Sequence, residues 1–136
     1  MMFADANISL RALTADDPAK FEACTDLLRR VDRGDVEIAT CEAILTEVVY
    51  VLSSRANYGL SHDEIRARLA PLIRMRRLRL SGKHLYLQAL DLLAAHPAPD
   101  FEDALCLAHM QQGGIKEILS YDTDFDRIPA VQRVEP

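Results

Sequence analysis

Short apolar runs alternate along the chain with longer segments in which apolar residues recur every three to four positions. The short runs predict strands over 2–6, 36–39, 77–80, 117–121 and 131–134. The longer segments predict helices between them, because this spacing places apolar side chains on one helical face. An alternation of short strands with helices is typical of a parallel sheet that is covered on both faces.

Local signals mark the ends of several predicted helices. Asp17 precedes a proline in the pattern of a helix start, and Gly34 follows the last apolar residue of that helix. Ser61 and Glu64 have the S-x-x-E spacing of a capping box. Pro71 lies inside the helix that follows and predicts a break in it.

The length and composition of the chain fit a soluble protein with one domain over residues 1–136. Of the 136 residues, 49% are hydrophobic and 27% are charged, which allows a core of useful size. No apolar run is long enough to span a bilayer, and the first twenty residues lack a signal-peptide pattern. Cys24, Cys41 and Cys106 include no CxxC pair, so we expect reduced core cysteines in a cytoplasmic protein without membrane contact.

The formal net charge of −5 argues against a passive, sequence-independent coat for nucleic acid, which is normally basic. It does not exclude an enzyme that acts on nucleic acid, because a chain with a negative net charge can still carry local basic patches. The densest basic stretch contains Arg74, Arg76 and Arg77, which are candidate contacts for RNA phosphates. The alternative is an ordinary solvated face.

Two carboxylates follow predicted strands. In open parallel sheets, ligands bind beyond the carboxyl ends of the strands. Asp5 ends the first strand; it could instead cap the next helix, although Asn7 is the better-placed cap. Asp122 follows the fourth strand, and its local alternative is an Asx-turn near Asp124.

Two further carboxylates lie on apolar helix segments. Glu47 is inside AILTEVVYVL, which is apolar nearly all round, so we expect this side chain to be buried. Burying an ionised carboxylate costs several kcal/mol unless it is paired or bound to metal. This cost favours a functional role over an ion pair with an arginine. Asp103 shares a helix face with Leu107 and Met110 in the same way.

These four acids have no basic partners nearby in sequence, which is the ligand chemistry of a hard divalent cation such as Mg²⁺ or Mn²⁺. The chain contains no Gly-rich phosphate loop of the GxxxxGK[ST] type and no serine or cysteine nucleophile motif. The acids therefore point to metal-assisted chemistry.

The stretches FADANISLR, TEVVYVL, DFEDALCLA and SYDTDFDRIP, in this order, resemble the PIN domain, in particular the VapC-type toxin ribonucleases of prokaryotic toxin–antitoxin systems. The resemblance spans essentially the whole chain. It implies a three-layer α/β/α sandwich around a central, mostly parallel sheet of four or five short strands. It also implies a catalytic metal site formed by Asp5, Glu47, Asp103 and Asp122, with Asn7, Ser120 and Asp124 in supporting positions.

The same resemblance implies RNA cleavage that depends on Mg²⁺ or Mn²⁺, a homodimer, and inhibition by a cognate antitoxin protein. Three alternatives stay open from the sequence. The protein could be a PIN ribonuclease of RNA processing or decay without an antitoxin. It could be a catalytically silent PIN-like module that binds RNA or protein, or a structural protein whose carboxylates form salt bridges with arginines.

Overall fold

The computed structural model describes all 136 residues, and its secondary structure follows the predicted alternation. The strands are β1 (Met2–Phe3), β2 (Ile38–Ala39), β3 (Leu78–Arg79), β4 (Glu117–Leu119) and β5 (Gln132–Val134). The helices are α1 (Ala6–Leu13), α2 (Pro18–Arg33), α3 (Glu42–Ser53), α4 (His62–Arg74), α5 (Lys83–Ala95) and α6 (Phe101–Gly113). A 3-10 helix covers Thr123–Arg127.

The chain forms two compact units, Met1–Lys83 and His84–Pro136. All strand pairs are parallel, as predicted, but they form two sheets, with order β1-β2-β3 in the first unit and β4-β5 in the second. The α/β class with parallel strands is therefore confirmed. The single domain, the continuous sheet and the three-layer sandwich stay predictions.

The sheet of the first unit has two chemically different edges. Met2 pairs with Ile38, which pairs with Leu78. We call the side where these strands end the carboxyl edge; Asp5 lies there, directly before α1. We call the opposite side the amino edge; Glu37 and the arginines before β3 lie there.

Helices bury the core of the first unit. Helix α1 packs against α2 and α3, and α4 packs against α3 and β3. The buried face of α3 consists of Leu45, Val48, Val49 and Leu52, which follow the spacing of a single apolar stripe. The capping box of Ser61 and Glu64, the cap by Asp17 and the left-handed Gly34 that ends α2 are all confirmed.

The second unit has a core of its own under β4 and β5. Leu107 and Met110 of α6 pack there against Phe125 and Ile128. Helix α6 ends at Gly113 and is capped by Gly114, which has a φ of 66°. The packing fixes the 3-10 helix and therefore the acidic stretch that it carries.

Three local expectations are wrong. The covered sheet predicted from the sequence fails at β1, where Met2 and Phe3 are exposed. Pro71 does not break α4; it lies on the exposed side, where water can solvate the carbonyl oxygen of Ala67 that loses its donor. Of the cysteines, only Cys24 is in the core.

Candidate active site

Asp5 holds the start of α1 at the carboxyl edge. Its Oδ1 accepts a hydrogen bond from the backbone N–H of Asn7 at 3.0 Å, so Asp5 is the N-cap. The expectation that Asn7 is the cap is wrong, because Asp5 has the extended backbone of a cap residue, whereas Asn7 is already helical. Both side chains are exposed at this edge.

Thr40 supports the position of Asp5, a role that the sequence did not reveal. Its hydroxyl donates to the carbonyl oxygen of Ala4 at 3.2 Å, just beyond the pairing of β1 with β2. The backbone N–H of Ala4 donates to Ala39 at 2.8 Å. In the sequence, the only indication of this contact is that a threonine directly follows the strand that pairs with β1.

Glu47 is exposed, so the prediction of a buried carboxylate is wrong. Helix α3 turns its stripe from Leu45 to Leu52 inward and leaves Glu47 on the opposite side, together with Tyr50, which is 71% exposed. Apolar residues surround Glu47 in sequence, but they do not surround it in space. Its carboxylate is available to a ligand from solvent.

Asp103 is half-buried in the first turn of α6. It forms a reciprocal capping box with Asp100: the N–H of Asp103 donates to Asp100 at 2.9 Å, and the N–H of Asp100 donates to Asp103 at 3.3 Å. Asp103 therefore takes part in capping the start of α6.

Asp122 caps the 3-10 helix of the second unit. Its Oδ1 accepts from the N–H of Asp124 at 2.9 Å, which is the Asx-turn considered from the sequence. Its own N–H donates to Ser120 Oγ at 3.0 Å. Ser120 and Asp124 thus both bond to Asp122, one on each side of it along the chain.

Arg133 stabilises this segment and was missed from the sequence, because it lies thirteen residues beyond Ser120. It donates to the Ser120 carbonyl oxygen at 3.0 Å and pairs with Asp126 at 3.0 Å and Glu135 at 2.6 Å. Arg133 thus neutralises Asp126 and leaves Asp122 to other partners.

The electrostatics of the second unit fit a cation. Burial raises the pKa of Asp103, and the negative charges of Asp100 and Asp122 raise it further. A divalent cation relieves both costs, and carboxylate oxygens are the ligands that Mg²⁺ and Mn²⁺ prefer. Within either unit, no group of three or more histidine, cysteine, aspartate and glutamate side chains is arranged to hold a metal ion. The four predicted acids are divided equally between the units.

Cys106 lies one turn beyond Asp103, where its surroundings disfavour the thiolate form of its side chain. Burial and the charges of Asp103, Asp100 and Glu102 raise the pKa of its thiol. A nucleophilic cysteine needs the opposite shift. Its surroundings therefore favour carboxylate chemistry over thiol chemistry.

The predicted RNA contacts Arg74, Arg76 and Arg77 are exposed and come before β3. They therefore lie at the amino edge of the first sheet, whereas Asp5 lies at the carboxyl edge. Arg77 pairs with Glu37 at 3.2 Å. Their contact with RNA stays a prediction.

Comparison with known families decides the classification. The family model of the PIN domain matches residues 2–131. The chain belongs to the PIN domain family. The matched range includes all four predicted acids, and it confirms the resemblance that their sequence stretches carry.

One solved structure similar to this PIN domain is the crystal structure of VapC20 from Mycobacterium tuberculosis, described as a Sarcin-Ricin loop cleaving toxin. The two sequences are 23% identical, the alignment covers 100% of each chain, and the TM-score is 0.40. No curated protein sequence matches the chain. No helix of this PIN domain combines the length and the apolarity needed to cross a membrane.

Proposed function

We propose that the protein is a divalent-metal-dependent ribonuclease that hydrolyses RNA phosphodiester bonds, and that it is the toxin of a type II toxin–antitoxin pair. The observation that carries this proposal is the PIN domain match over residues 2–131, a range that contains the four carboxylates and their supporting residues. The acidic composition of these positions supports it, because carboxylate oxygens bind the divalent cations that assist phosphodiester hydrolysis.

In this proposal, Asp5, Glu47, Asp103 and Asp122 hold Mg²⁺ or Mn²⁺. The cation, when bound, supplies Lewis-acid chemistry that activates water for attack and stabilises negative charge on the phosphate. Asp5 and Asp122 each use one carboxylate oxygen to cap a helix, which fixes the orientation of the group. Asn7 and Ser120 bond near these acids through the backbone N–H of Asn7 and the Oγ of Ser120.

Asp103 and Asp124 also have roles in the proposed reaction. Asp103 is half-buried, so water competes less for its carboxylate than for that of an exposed acid. Asp124 is also half-buried and follows Asp122 by two residues, where its carboxylate can accept a proton from the attacking water.

The test is cleavage of structured and single-stranded RNA by the purified protein with Mg²⁺, with Mn²⁺ and with EDTA. We expect cleavage with either metal and none with EDTA. Cleavage that survives EDTA contradicts the metal requirement. Cleavage lost equally in Asp5→Asn and Asp103→Asn, with unchanged thermal transitions, supports the assignment of both acids.

The toxin role carries partner predictions of its own. We propose that a cognate antitoxin inhibits the enzyme, that the enzyme is a homodimer, and that its strands form one sheet in a three-layer sandwich. Expression in a bacterial host should arrest growth, and coexpression of a small neighbouring gene should relieve the arrest. Growth arrest that no neighbouring gene relieves contradicts the antitoxin and leaves the ribonuclease in place.

A further inference from the structure

The basic residues of the first unit are strongly segregated. Seven of the 16 lysines and arginines of the chain lie in two short segments, one that precedes β2 and one that runs through β3. We call them the arginine surface: Arg29, Arg30, Arg33, Arg74, Arg76, Arg77 and Arg79, all exposed. These clustered arginines create a local positive potential, although the net charge of the chain is −5.

The fold brings the two segments together at the amino edge. Helix α2 ends at Gly34, and a Cβ placed on Gly34 would lie 3.9 Å from Nε of Arg77. Arg29 and Met75 line one groove of about 210 Å³. The sequence separates the segments by about forty residues, so the strand pairing of β2 with β3 is what joins them.

Several of these arginines have no acidic partner. Arg33 pairs with Asp35 at 3.3 Å, and Arg77 and Arg79 share Glu37 at 3.2 Å and 2.8 Å. Arg29, Arg30, Arg74 and Arg76 make no ion pair, so their charges face solvent. Unpaired, exposed guanidinium groups are suited to phosphate oxygens, which they can bind through two N–H donors.

Arg74, Arg76 and Arg77 of the arginine surface are separated from Asp5 along the sheet, whereas Arg79 is the last residue of β3 and lies nearer to Asp5. The register places Phe3 level with Arg79; Arg77 precedes Arg79 by two residues and Asp5 follows Phe3 by two, which corresponds to about 13 Å along the strands. A phosphate bound at Arg77 is therefore not the phosphate that reacts at Asp5. A substrate that touches both edges must extend along the sheet.

We propose that the arginine surface is a second binding region for the sugar-phosphate backbone of RNA, outside the catalytic acids, which anchors a long substrate at the amino edge. The choice of RNA over another polyanion rests on the proposed ribonuclease function. The surface lacks aromatic side chains and its cationic groups are all guanidinium groups, so it binds backbone without reading bases. Exposed Asp32 and Asp35 lie between its arginines in sequence and reduce the local positive charge. Glu37 limits its strength by occupying Arg77 and Arg79.

The test measures binding of a fluorescent single-stranded RNA by anisotropy in EDTA, so that no cleavage occurs. Each of two double variants, Arg29→Gln with Arg30→Gln and Arg74→Gln with Arg76→Gln, should lose affinity by about tenfold at moderate salt. The slope of log affinity against log salt should fall in magnitude by about 1.4 in each, for two lost phosphate contacts.

Two control variants sharpen the result. Arg55→Gln removes an exposed arginine outside the surface and should change affinity by less than about twofold. Glu37→Gln should tighten binding, because it frees two arginines. Circular dichroism melts verify that every variant is folded.

Unchanged affinity in both double variants overturns the inference and leaves an acidic protein as the partner to examine. An equal loss in Arg55→Gln also overturns it, because binding would then follow total charge. Cleavage by the wild type with Mg²⁺, measured separately, tests the proposed function. If binding follows these expectations but no cleavage occurs, the ribonuclease proposal is refuted and the arginine surface still binds RNA.

Discussion

The two edges of the first sheet are built from the same three short strands, yet they carry opposite chemistry. Asp5 stands at the carboxyl edge, bonded only through the backbone N–H of Asn7. At the amino edge, Glu37 is bonded by Arg77 and Arg79. A carboxylate between two arginines is satisfied, whereas one without a basic partner is available to a cation. The net charge of −5 describes neither edge.

The same contrast separates the acids that sequence patterns can identify from those they cannot. Glu37 and Asp5 each lie one or two residues from a strand end, and their types alone do not distinguish them. The distinction is the direction of the strand, because only one end of a parallel sheet collects ligands. Predictions that act on one edge and spare the other test this division.

The largest effect is expected for Asp5→Asn. Cleavage should fall by about a thousandfold, since the loss of a charged ligand removes several kcal/mol of metal-dependent stabilisation. Asparagine caps helices as well as aspartate does, so the thermal transition should hardly move. Steady-state cleavage with Mg²⁺ and a melting curve measure the two quantities on one sample.

The matched control for this variant is Asp17→Asn, which changes another N-cap of the same unit without touching a predicted ligand. It should cleave RNA normally. Binding of RNA in EDTA should also be unaffected in Asp5→Asn, because the arginine surface is intact. Normal cleavage by Asp5→Asn would show that the carboxyl edge is not the catalytic one.

The next largest effect is expected at β2, the central strand of the sheet in the first unit. Ile38 is 2% exposed at the centre of the sheet. Ile38→Ala should lower the free energy of unfolding by about 2–5 kcal/mol, through lost burial and a cavity. Urea denaturation measures the change. Ile38→Val, with an expected cost of about 0.5–1.5 kcal/mol, is the conservative comparison.

Most of the secondary structure was predictable because local signals and long-range packing agree. The capping box at Ser61, the proline after Asp17 and the glycine after α2 act within a few residues, and each is where the sequence indicated. Pro71 failed as a signal, because the cost of a proline depends on whether water reaches the freed carbonyl. Sequence alone does not give that exposure.

The site was predictable in residue type and less so in environment. Glu47 appeared buried because its neighbours in sequence are apolar, but Ala43 and Tyr50 are exposed beside it. Thr40 and Arg133 act through contacts 36 and 13 residues away, which no local pattern reveals. Strand direction likewise assigns the arginines before β3 to the edge opposite Asp5.

A smaller effect is expected at Thr40, whose hydroxyl joins the ends of β1 and β2. Thr40→Val keeps the shape of the side chain and removes one hydrogen bond, so stability should fall by about 0.5–1.5 kcal/mol. Cleavage should fall by less than about tenfold, because Ala4 then holds Asp5 less firmly. Thr40→Ser keeps the hydroxyl and should restore cleavage; a Ser variant as impaired as Val contradicts this role.

The smallest effect concerns the amino edge and depends on pH. The hydrogen bonds from Arg79 and Arg77 hold the pKa of Glu37 below its usual range. A carboxyl with a lowered pKa stabilises the fold above its unfolded pKa, and this contribution is lost as pH falls through the folded pKa. The melting temperature of the wild type should therefore exceed that of Glu37→Gln at neutral pH, and the two should converge in acid. A difference that persists at low pH would show that Glu37 acts through packing.

Neutral-pH cleavage of a dinucleotide, which is too short to reach the arginines, should be the same in both proteins, because Glu37 is remote from Asp5.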